Sequence, residues 1–287
     1  MVKKGLTIVK VGGAVVEDEV QLTQLLHDFM TIQGPKILVH GGGRRATKMA
    51  ERLGIKTKMV EGRRITDADM LEVVTMVYGG LVNKHVVALL QALGADAIGL
   101  TGADADIIRS VKRQPIPLCP PDGGKCLMDS PSAANFPPSG GQRGGIDFGF
   151  VGDVKKADGA KIAHFINAGM IPVIAPLTHD GQGNMLNTNA DTMASETAIA
   201  LAELYDVTLV FAFEKPGVLL RPDDDSSVIS TITASDFERL KADGTISGGM
   251  LPKISNALAA IQKGVKRVVI TSAQAIGKDG GTVIRGS

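Results

Sequence analysis

Two glycine-rich turns near the start of the chain carry groups that could bind phosphate. Lys10 closes a β-rich run and is followed by Gly12 and Gly13, and His40 closes a second run and is followed by Gly41-Gly42-Gly43. Bare backbone N–H groups at a strand-to-helix turn bind anions, and a lysine adds a full charge. Taken alone, the first turn is better explained as a tight βα connection with a solvated lysine, and the second could also be a simple connection. Together they predict one polyphosphate site at the carboxyl edge of a sheet.

Two later segments carry groups that suit the same chemistry. The run Asn187-Thr-Asn-Ala-Asp191 precedes a helical pattern, and a helix cap accounts for one of its polar residues but not for all three. The run Ser247-Gly-Gly-Met-Leu-Pro-Lys253 again places glycines before a helix, with a lysine in the first turn. A cation at that end opposes the helix dipole unless an anion lies between them. We therefore expect Lys253 to face a phosphate.

Other chemistries lack their residues. The chain contains no G-x-x-x-x-G-K-[ST], no G-x-G-x-x-G after a strand, and no H-E-x-x-H, paired C-x-x-C or G-x-S-x-G. P-loop, dinucleotide-binding, metalloprotease, zinc-module and serine-hydrolase interpretations are therefore disfavoured. The acidic run at residues 223–225 is interpreted as a solvated turn, and we predict no protein-bound metal site.

Composition excludes further classes. The 31 Lys+Arg and 30 Asp+Glu residues give a net charge of +1, and aromatic residues make up only 3% with no Trp, which disfavours nucleic-acid binding. No unbroken apolar stretch approaches 18 residues, and the opening apolar run is broken at Lys10, so we expect no membrane partner and no export. Two Cys fit a reducing cytoplasm, where we place the protein.

The elements that must position these turns alternate along the chain. Short β-rich runs and amphipathic helix-length stretches predict an α/β fold with a mainly parallel central sheet. The predicted strands are Leu6–Val11, Lys36–His40, Ala97–Leu100, Ile171–Pro176, Val207–Phe213 and Arg267–Thr271. The predicted helices are Glu19–Thr31, Arg44–Leu53, Asp67–Leu93, Ala160–Ala168, Asp191–Leu204, Ala234–Ala242 and Pro252–Lys263. We expect the long third helix to break near Gly79-Gly80.

One segment departs from this pattern. Residues 113–145 hold seven of the 13 Pro and both Cys and show no periodicity, which predicts a mobile inserted loop. Cys119 and Cys126 would supply half of a zinc site only if other ligands joined them.

Taken in order, these segments resemble the amino acid kinase family over nearly the whole chain, and within it the branch that acts on acylglutamates. The segments that carry the resemblance are Lys10–Gly13, His40–Gly43, Gly62–Thr66, Asn83-Lys84, Gly149–Asp153, Asn187–Asp191, Lys215–Val218 and Gly248–Lys253. The resemblance implies an open αβα sandwich, with an acylglutamate-binding lobe at residues 1–177 and an ATP-binding lobe at residues 178–287. It also implies transfer of the γ-phosphoryl group of MgATP to the side-chain carboxylate of N-acetyl-L-glutamate. This reaction forms an acyl phosphate and is the second step of arginine biosynthesis.

The same resemblance implies a role for individual residues. Lys10 and Lys253 would neutralise the transferring phosphoryl group, Asp191 would orient both lysines, and Gly13 and Gly43 would donate backbone N–H groups. The substrate would be bound by Gly42, Gly43, Arg64 and Asn187. The nucleotide would be bound by Glu214, Lys215, Pro216, Gly217, Val218, Leu219, Thr245, Ile246 and Ser247, with Mg²⁺ held mainly by its phosphates.

The chain departs from the family at three places. It has Phe213-Glu214 where many relatives have Thr-Asp or Ser-Asp, which affects the expected nucleotide contact. Residues 113–145 are extra. The first strand begins within ten residues of Met1, so the N-terminal helix of arginine-inhibited hexameric relatives is missing, and we expect a homodimer without arginine feedback. The helix around Asn83–Leu93 would form its interface.

Three alternatives stay open at this point. The Phe-Glu-Lys before Pro-Gly resembles relatives associated with N-succinyl-L-glutamate, whose extra carboxylate would require a cation from Arg63, Arg44 or Arg45. Another kinase of the family, specific for carbamate or an aminoadipate-type substrate, would use the same phosphate site. A non-catalytic sensor is the third alternative, but it would be expected to have lost one of Lys10, Asp191 and Lys253.

Overall fold

The computed structural model of the chain describes residues 3–60, 63–117, 145–246, 250–278 and 280–286. Within them the strands are β1 Lys4–Val11, β2 Lys36–His40, β3 Lys58–Val60, β4 Arg63–Ile65, β5 Ala97–Leu100, β6 Ile108–Lys112, β7 Ile116–Pro117, β8 Gly145–Ile146, β9 Gly152–Ala157, β10 Ile171–Ile174, β11 Leu177–His179, β12 Met185–Asn187, β13 Tyr205–Phe213, β14 Thr231–Ile232, β15 Arg267–Ser272 and β16 Thr282–Ile284. The α-helices are α1 Gly13–Glu17, α2 Glu19–Thr31, α3 Gly43–Arg52, α4 Ala68–Val74, α5 Asn83–Ala92, α6 Gly159–Asn167, α7 Ala190–Leu201, α8 Ala234–Ala242 and α9 Met250–Gln262.

An eight-stranded sheet organises these elements, in the order β14-β16-β15-β13-β1-β2-β10-β5. The six strands from β15 to β5 run parallel to one another, and β16 is antiparallel to β15. These six are the strands that the sequence predicts, so the α/β fold with a mainly parallel sheet is confirmed. β1 lies at the centre of the parallel part, which brings the first glycine turn to the middle of the sheet's carboxyl edge.

Each face of the sheet is covered by its own helices and core. Along β1, Leu6 and Ile8 point into a core shared with α6, α7, α8 and α9. Val9 and Val11 point into the opposite core, shared with α1 to α5. Because side chains alternate along a strand, Lys10 emerges on the same face as Leu6 and Ile8, which is the face that α7 covers.

The predicted break at Gly79-Gly80 is wrong. α4 and α5 are joined by a continuous π-helical segment, Thr75–Val82, instead of a turn. A Cβ at Gly79 would lie 3.3 Å from a methyl carbon of Leu177, so the glycine permits close packing on β11 while the helix continues.

The whole helical stretch Ala68–Ala92 is, by length and composition, apolar enough to cross a membrane, with a hydropathy of 1.5. Of its most apolar window, 44% is buried inside the fold, and Met70, Val77 and Val86 pack in the core beneath the sheet. Val86 and Leu90 are fully buried, which accounts for part of the apolar run assigned above to a dimer interface. Core packing of this kind is typical of a helix internal to a globular fold.

Three smaller sheets accompany the main sheet in the described residues. The strands β12-β11-β6-β9 form a four-stranded sheet, and β3-β4 form a hairpin. The ends of the inserted segment are held together, because Pro117 of β7 pairs with Gly145 of β8. Arg113, at the start of that segment, forms a two-pronged ion pair with Asp153. Cys119, Cys126 and the predicted mobility of the insertion lie outside the described residues.

Candidate active site

The two glycine turns meet at the carboxyl edge of the sheet. Val11 of β1 is the register partner of His40 of β2, so the turns that follow them are neighbours. A Cβ placed on Gly13 would lie 3.4 Å from the backbone nitrogens of both Gly42 and Gly43, and one on Gly41 would lie 3.0 Å from that of Gly13. The absence of side chains therefore lets several backbone N–H groups gather at the start of α3, a geometry suited to an anion.

Lys10, near the end of β1 and two residues before the first glycine turn, forms an ion pair with Asp191. Its Nζ lies 2.7 Å from Asp191 Oδ1, and the Lys10 side chain is only 8% exposed. Asp191 is free for this role because Asn189 caps α7, its side chain accepting hydrogen bonds from the backbone of Asp191 and Thr192. Asn189 is therefore the helix cap of this segment. As predicted, one cap does not account for all of the segment's polar residues.

Lys253 reaches the same place from α9. Its Nζ lies 3.7 Å from the centre of the Phe213 ring, and Lys10 Nζ lies 5.1 Å from the same centre. Burial lowers the pKa of Lys253, the nearby charge of Asp191 opposes this effect, and the charge of Lys10 adds to it. Lys10, Asp191 and Lys253 are therefore brought together, as the sequence predicts.

Arg64 and Asn187 line a cavity of about 180 Å³ next to the glycine turns. Arg64 Nη2 donates to the Gly43 carbonyl oxygen and to Thr47 Oγ1, both at 2.8 Å. Asn187 Nδ2 donates to Thr66 Oγ1 at 2.9 Å. Both side chains are buried and fixed in position, and the Arg64 guanidinium has further N–H donors for a carboxylate.

Tyr78 is a residue of this cavity that the sequence did not predict. Its ring would lie 2.9 Å from a Cβ on Gly42, so it packs directly against the second glycine turn. Burial raises the pKa of its hydroxyl, while the positive charge of Arg64 opposes the shift. Its place within a long apolar helical run gave no signal of a site residue.

A buried polar pair supports the second glycine turn from behind. His40 Nδ1 lies 2.8 Å from the Gly41 carbonyl oxygen, and Asn83 Nδ2 lies 3.1 Å from His40 Nε2. Asn83 Nδ2 also donates to the Val173 carbonyl oxygen at 2.9 Å. The sequence singled out Asn83 as a motif residue without giving it a role.

The residues expected to bind the nucleotide are only partly gathered at this edge. Glu214 follows Phe213 directly and pairs with Arg44 at 3.3 Å, and Lys215 pairs with Asp225 at 2.9 Å. The side chains of Val218 and Ile246 are buried in the core, so they offer no side-chain contact to a ligand. Pro216, Gly217 and Leu219 lie on the same connection after β13, Thr245 follows α8, and Ser247 lies outside the described residues.

No group of three His, Cys, Asp or Glu side chains in the described ranges could hold a metal ion.

Comparison with known proteins places this geometry in a family. The sequence profile of the amino acid kinase family matches residues 5–272. This chain belongs to the amino acid kinase family. An acetylglutamate kinase of Bacteroides thetaiotaomicron is 56% identical to this kinase over 283 residues, which cover 99% of both chains.

Two solved structures extend the comparison. A protein of Streptococcus mutans UA159, smu.665, has 26% identity and a TM-score of 0.70, with 98% of both chains covered. A carbamate kinase from Giardia lamblia shares 15% identity and a TM-score of 0.62, with 99% of both chains covered; this likeness concerns the fold. The chain is thus an ATP-dependent kinase whose fold is the αβα sandwich of its family.

Proposed function

We propose that this kinase transfers the γ-phosphoryl group of ATP to the side-chain carboxylate of N-acetyl-L-glutamate, forming an acyl phosphate in arginine biosynthesis. The observation that carries the proposal is a 56% identity with an acetylglutamate kinase over 99% of both chains. The carbamate alternative is weaker, since the carbamate kinase above shares only 15% of its residues with this chain. A cavity lined by both a guanidinium and a carboxamide also suits a substrate larger than carbamate.

Phosphoryl transfer requires positioning and charge neutralisation more than covalent chemistry from the protein. The ammonium groups of Lys10 and Lys253 lie 5.1 Å and 3.7 Å from the centre of the Phe213 ring at the carboxyl edge of the sheet. We assign to them the neutralisation of the equatorial oxygens of the transferring group. Asp191 holds the ammonium of Lys10 through the ion pair at 2.7 Å and acts on Lys253 through its charge.

Backbone amides complete the phosphoryl site. Gly13 and Gly43 would donate N–H groups to the transferring group at the positive end of α3, while Gly42 and Gly43 border the acyl substrate. A Cβ on Gly13 would already touch the backbone nitrogens of Gly42 and Gly43 at 3.4 Å, so a longer side chain there would compete with an anion for these donors. Charge that develops on the phosphoryl oxygens would thus meet dipoles that are already oriented, which lowers the barrier without reorganisation.

Arg64 and Asn187 would bind the α-carboxylate of the substrate. A guanidinium can bind a carboxylate through two parallel hydrogen bonds, and Arg64 is held in place by Gly43 and Thr47. Because Arg64 also bonds the carbonyl oxygen of Gly43, the same side chain would fix the substrate and the glycine turn relative to each other. The reacting carboxylate would thereby be aligned with the phosphate donor.

The nucleotide would lie on the side of β13, near Glu214, Lys215 and the connection that follows. We propose that residues 1–177 form the substrate-binding lobe and residues 178–287 the ATP-binding lobe, with Asn187 reaching from the second lobe into the substrate cavity. Mg²⁺ would neutralise and orient the phosphates, to which it would mainly be bound; carboxylates near the lysines are scarce, since Asp191 pairs with Lys10 and Glu214 pairs with Arg44.

We further propose that the kinase is a homodimer. It would act in the cytoplasm, where ATP is available. The sequence places the dimer interface on the helix around Asn83–Leu93, but Val86 and Leu90 of that helix are buried. We propose instead that the interface uses the preceding segment Thr75–Val82, where Met76 is 53% and Leu81 is 43% exposed. Sedimentation tests this, because Leu81→Glu should give a monomer. The control variant Leu53→Glu, at the C-cap of α3 where the leucine is 55% exposed, should leave the dimer intact.

Release of ADP tests the proposed reaction. We expect turnover with MgATP and N-acetyl-L-glutamate, and none with carbamate or free glutamate. Lys10→Met should abolish this turnover, because it removes the ammonium while keeping an unbranched side chain one atom shorter. Turnover with carbamate alone, or with none of the acyl compounds, would contradict the proposal.

One observation favours a second acyl substrate, N-succinyl-L-glutamate. Of the three arginines named for its extra carboxylate, Arg63 lines the cavity together with Arg64, whereas Arg44 pairs with Glu214. A side-by-side assay of the two acyl compounds decides between them. If the succinyl compound is preferred, Arg63→Gln should erase the preference and Arg45→Gln should preserve it; equal effects of the two changes would refute the role of Arg63.

A further inference from the structure

The ring of Phe213 is close to the ammonium groups of both lysines. Phe213 ends β13 on the same face of the sheet as Lys10. Lys253 Nζ stands 3.7 Å and Lys10 Nζ 5.1 Å from the ring centre, both within the range of a cation–π interaction. The carboxylate of Asp191 pairs with Lys10. Within the described residues, Lys253 has no ion pair of its own.

The orientation of the ring is fixed from below. Phe211 precedes it by two residues on the same strand face, and the two rings stack at 6.0 Å with an angle of 6° between their planes. Phe211 is buried, so the stacked pair connects the Phe213 ring to the hydrophobic core. The negative face of an aromatic ring attracts an ammonium most strongly where water is excluded, and Lys253 is partly buried there.

Electrostatics shows why such a support is needed. Two ammonium groups at one site repel each other, and Lys10 together with burial disfavours the charged form of Lys253, while Asp191 and Glu214 favour it. An uncharged lysine could not neutralise a phosphoryl group. A ring face stabilises the charge without taking up an N–H donor in the way that a carboxylate would, so all three donors of Lys253 stay available for phosphate oxygens.

We propose that Phe213 is a positioning residue that holds the ammonium groups of Lys253 and Lys10 at the phosphoryl site. The catalytic part of this inference rests on the proposed function. The placement of Lys253 on the ring does not, and it is tested without turnover.

The first experiment is an NMR measurement on the full chain labelled with ¹³C at the lysine ε-carbon. The Lys253 signal is assigned by its loss in Lys253→Arg. We expect the Phe213 ring to shift this signal in the wild type and in Phe213→Tyr. In Phe213→Leu the signal should remain, but without the ring-current shift. Phe165→Leu makes the same change on α6, at a ring that forms no cation–π contact with Lys10 or Lys253 in the described residues, and should leave the ring-current shift of Lys253 unchanged. An unchanged Lys253 signal in Phe213→Leu would overturn the proposal.

The same signal, followed with pH, separates positioning from packing. Phe213→Leu should lower the pKa of Lys253 further, because burial and Lys10 remain while the ring face is gone. A purely structural ring would leave the titration unchanged or raise the pKa as water enters. Thermal unfolding of each variant checks that the fold persists.

Kinetics then tests the consequence for phosphoryl transfer. Phe213→Leu should lower kcat by about three- to thirtyfold, with the KM for the acyl substrate unchanged, and Phe213→Tyr should restore most of the activity. A raised KM for ATP at unchanged kcat would make Phe213 a nucleotide contact and overturn the positioning role. If the wild type phosphorylates no acyl compound while the NMR results hold, the proposed function fails and the support of Lys253 stands.

Discussion

Protonation of His40 should destabilise the fold from within the active site. The ring is fully buried, with Nδ1 next to the Gly41 carbonyl oxygen and Nε2 next to the Asn83 amide nitrogen. A carbonyl oxygen can only accept a hydrogen bond, and Asn83 Nδ2 can only donate one, so the network requires a neutral imidazole protonated at Nδ1. A second proton would place the N–H group of His40 Nε2 opposite the N–H group of Asn83 Nδ2. Two donors facing each other at a buried position cost free energy, because neither is paired.

The magnitude follows from the pKa. Burial lowers the pKa of His40 from 6.5 to about 4, the hydrogen bond to Gly41 opposes this shift and the charge of Lys84 adds to it. Between these two pH values the unfolded chain binds more protons than the folded one, so stability falls as pH falls from 6.5 to about 4. At about 1.4 kcal/mol per pH unit, the full loss is roughly 3 kcal/mol.

Urea unfolding at pH 7.5 and pH 4.5 measures this effect. Carboxylates also titrate in this range. For each protein we therefore take the change in the free energy of unfolding between the two pH values, and compare this change between the wild type and the variant. We expect the change to be about 2 to 3 kcal/mol smaller in His40→Asn. His27→Asn, at an exposed position of α2, should keep the wild-type change. If the wild type and His40→Asn lose stability equally, the assignment of a buried neutral imidazole is refuted.

Three further predictions concern the site itself. Asp191→Asn should lower kcat roughly a hundredfold, since a charge-assisted contact to buried Lys10 is worth about 3 kcal/mol; a change of less than threefold would argue against the orienting role. Arg64→Lys should raise the KM for the acyl substrate about tenfold or more while changing kcat little, because the forked contact is lost, and steady-state kinetics at saturating ATP would reveal the opposite pattern if it occurred. Gly42→Ala should cost about 1 to 3 kcal/mol of stability through its clash with Tyr78, and the double variant with Tyr78→Leu should recover most of that cost in urea unfolding.

The central strands were predictable because their sequence pattern is strong and local. Six buried β-rich runs, each followed by a turn, specify parallel strands before any tertiary contact is considered. The strands of the smaller sheets were not predicted. β7 and β12, of two and three residues, are too short to show a period, and they form because neighbouring elements supply their hydrogen-bond partners.

The site was predictable only as far as glycines, lysines and polar runs mark it. Lys10, Asp191 and Lys253 converge as expected, since strand ends and helix starts share one edge of the sheet. Tyr78 was missed because its role depends on a π-helical segment that turns one side chain of a long apolar run toward a glycine turn. The partnership of Lys253 with Phe213 was likewise hidden, since the ring and the lysine are 40 residues apart in the chain.

The place of β1 in the sheet also determines when the site can form during synthesis. β1 pairs with β13, whose residues follow about 200 positions later in the chain. At about 5 to 20 residues per second, a ribosome needs on the order of 10 to 40 seconds to supply that partner. Until then one edge of an apolar strand is open to wrong pairing, and Lys10 has no Asp191 beside it. If Lys10 and Asp191 act as proposed, catalytic activity requires both halves of the chain, and we expect a nascent N-terminal half to phosphorylate nothing.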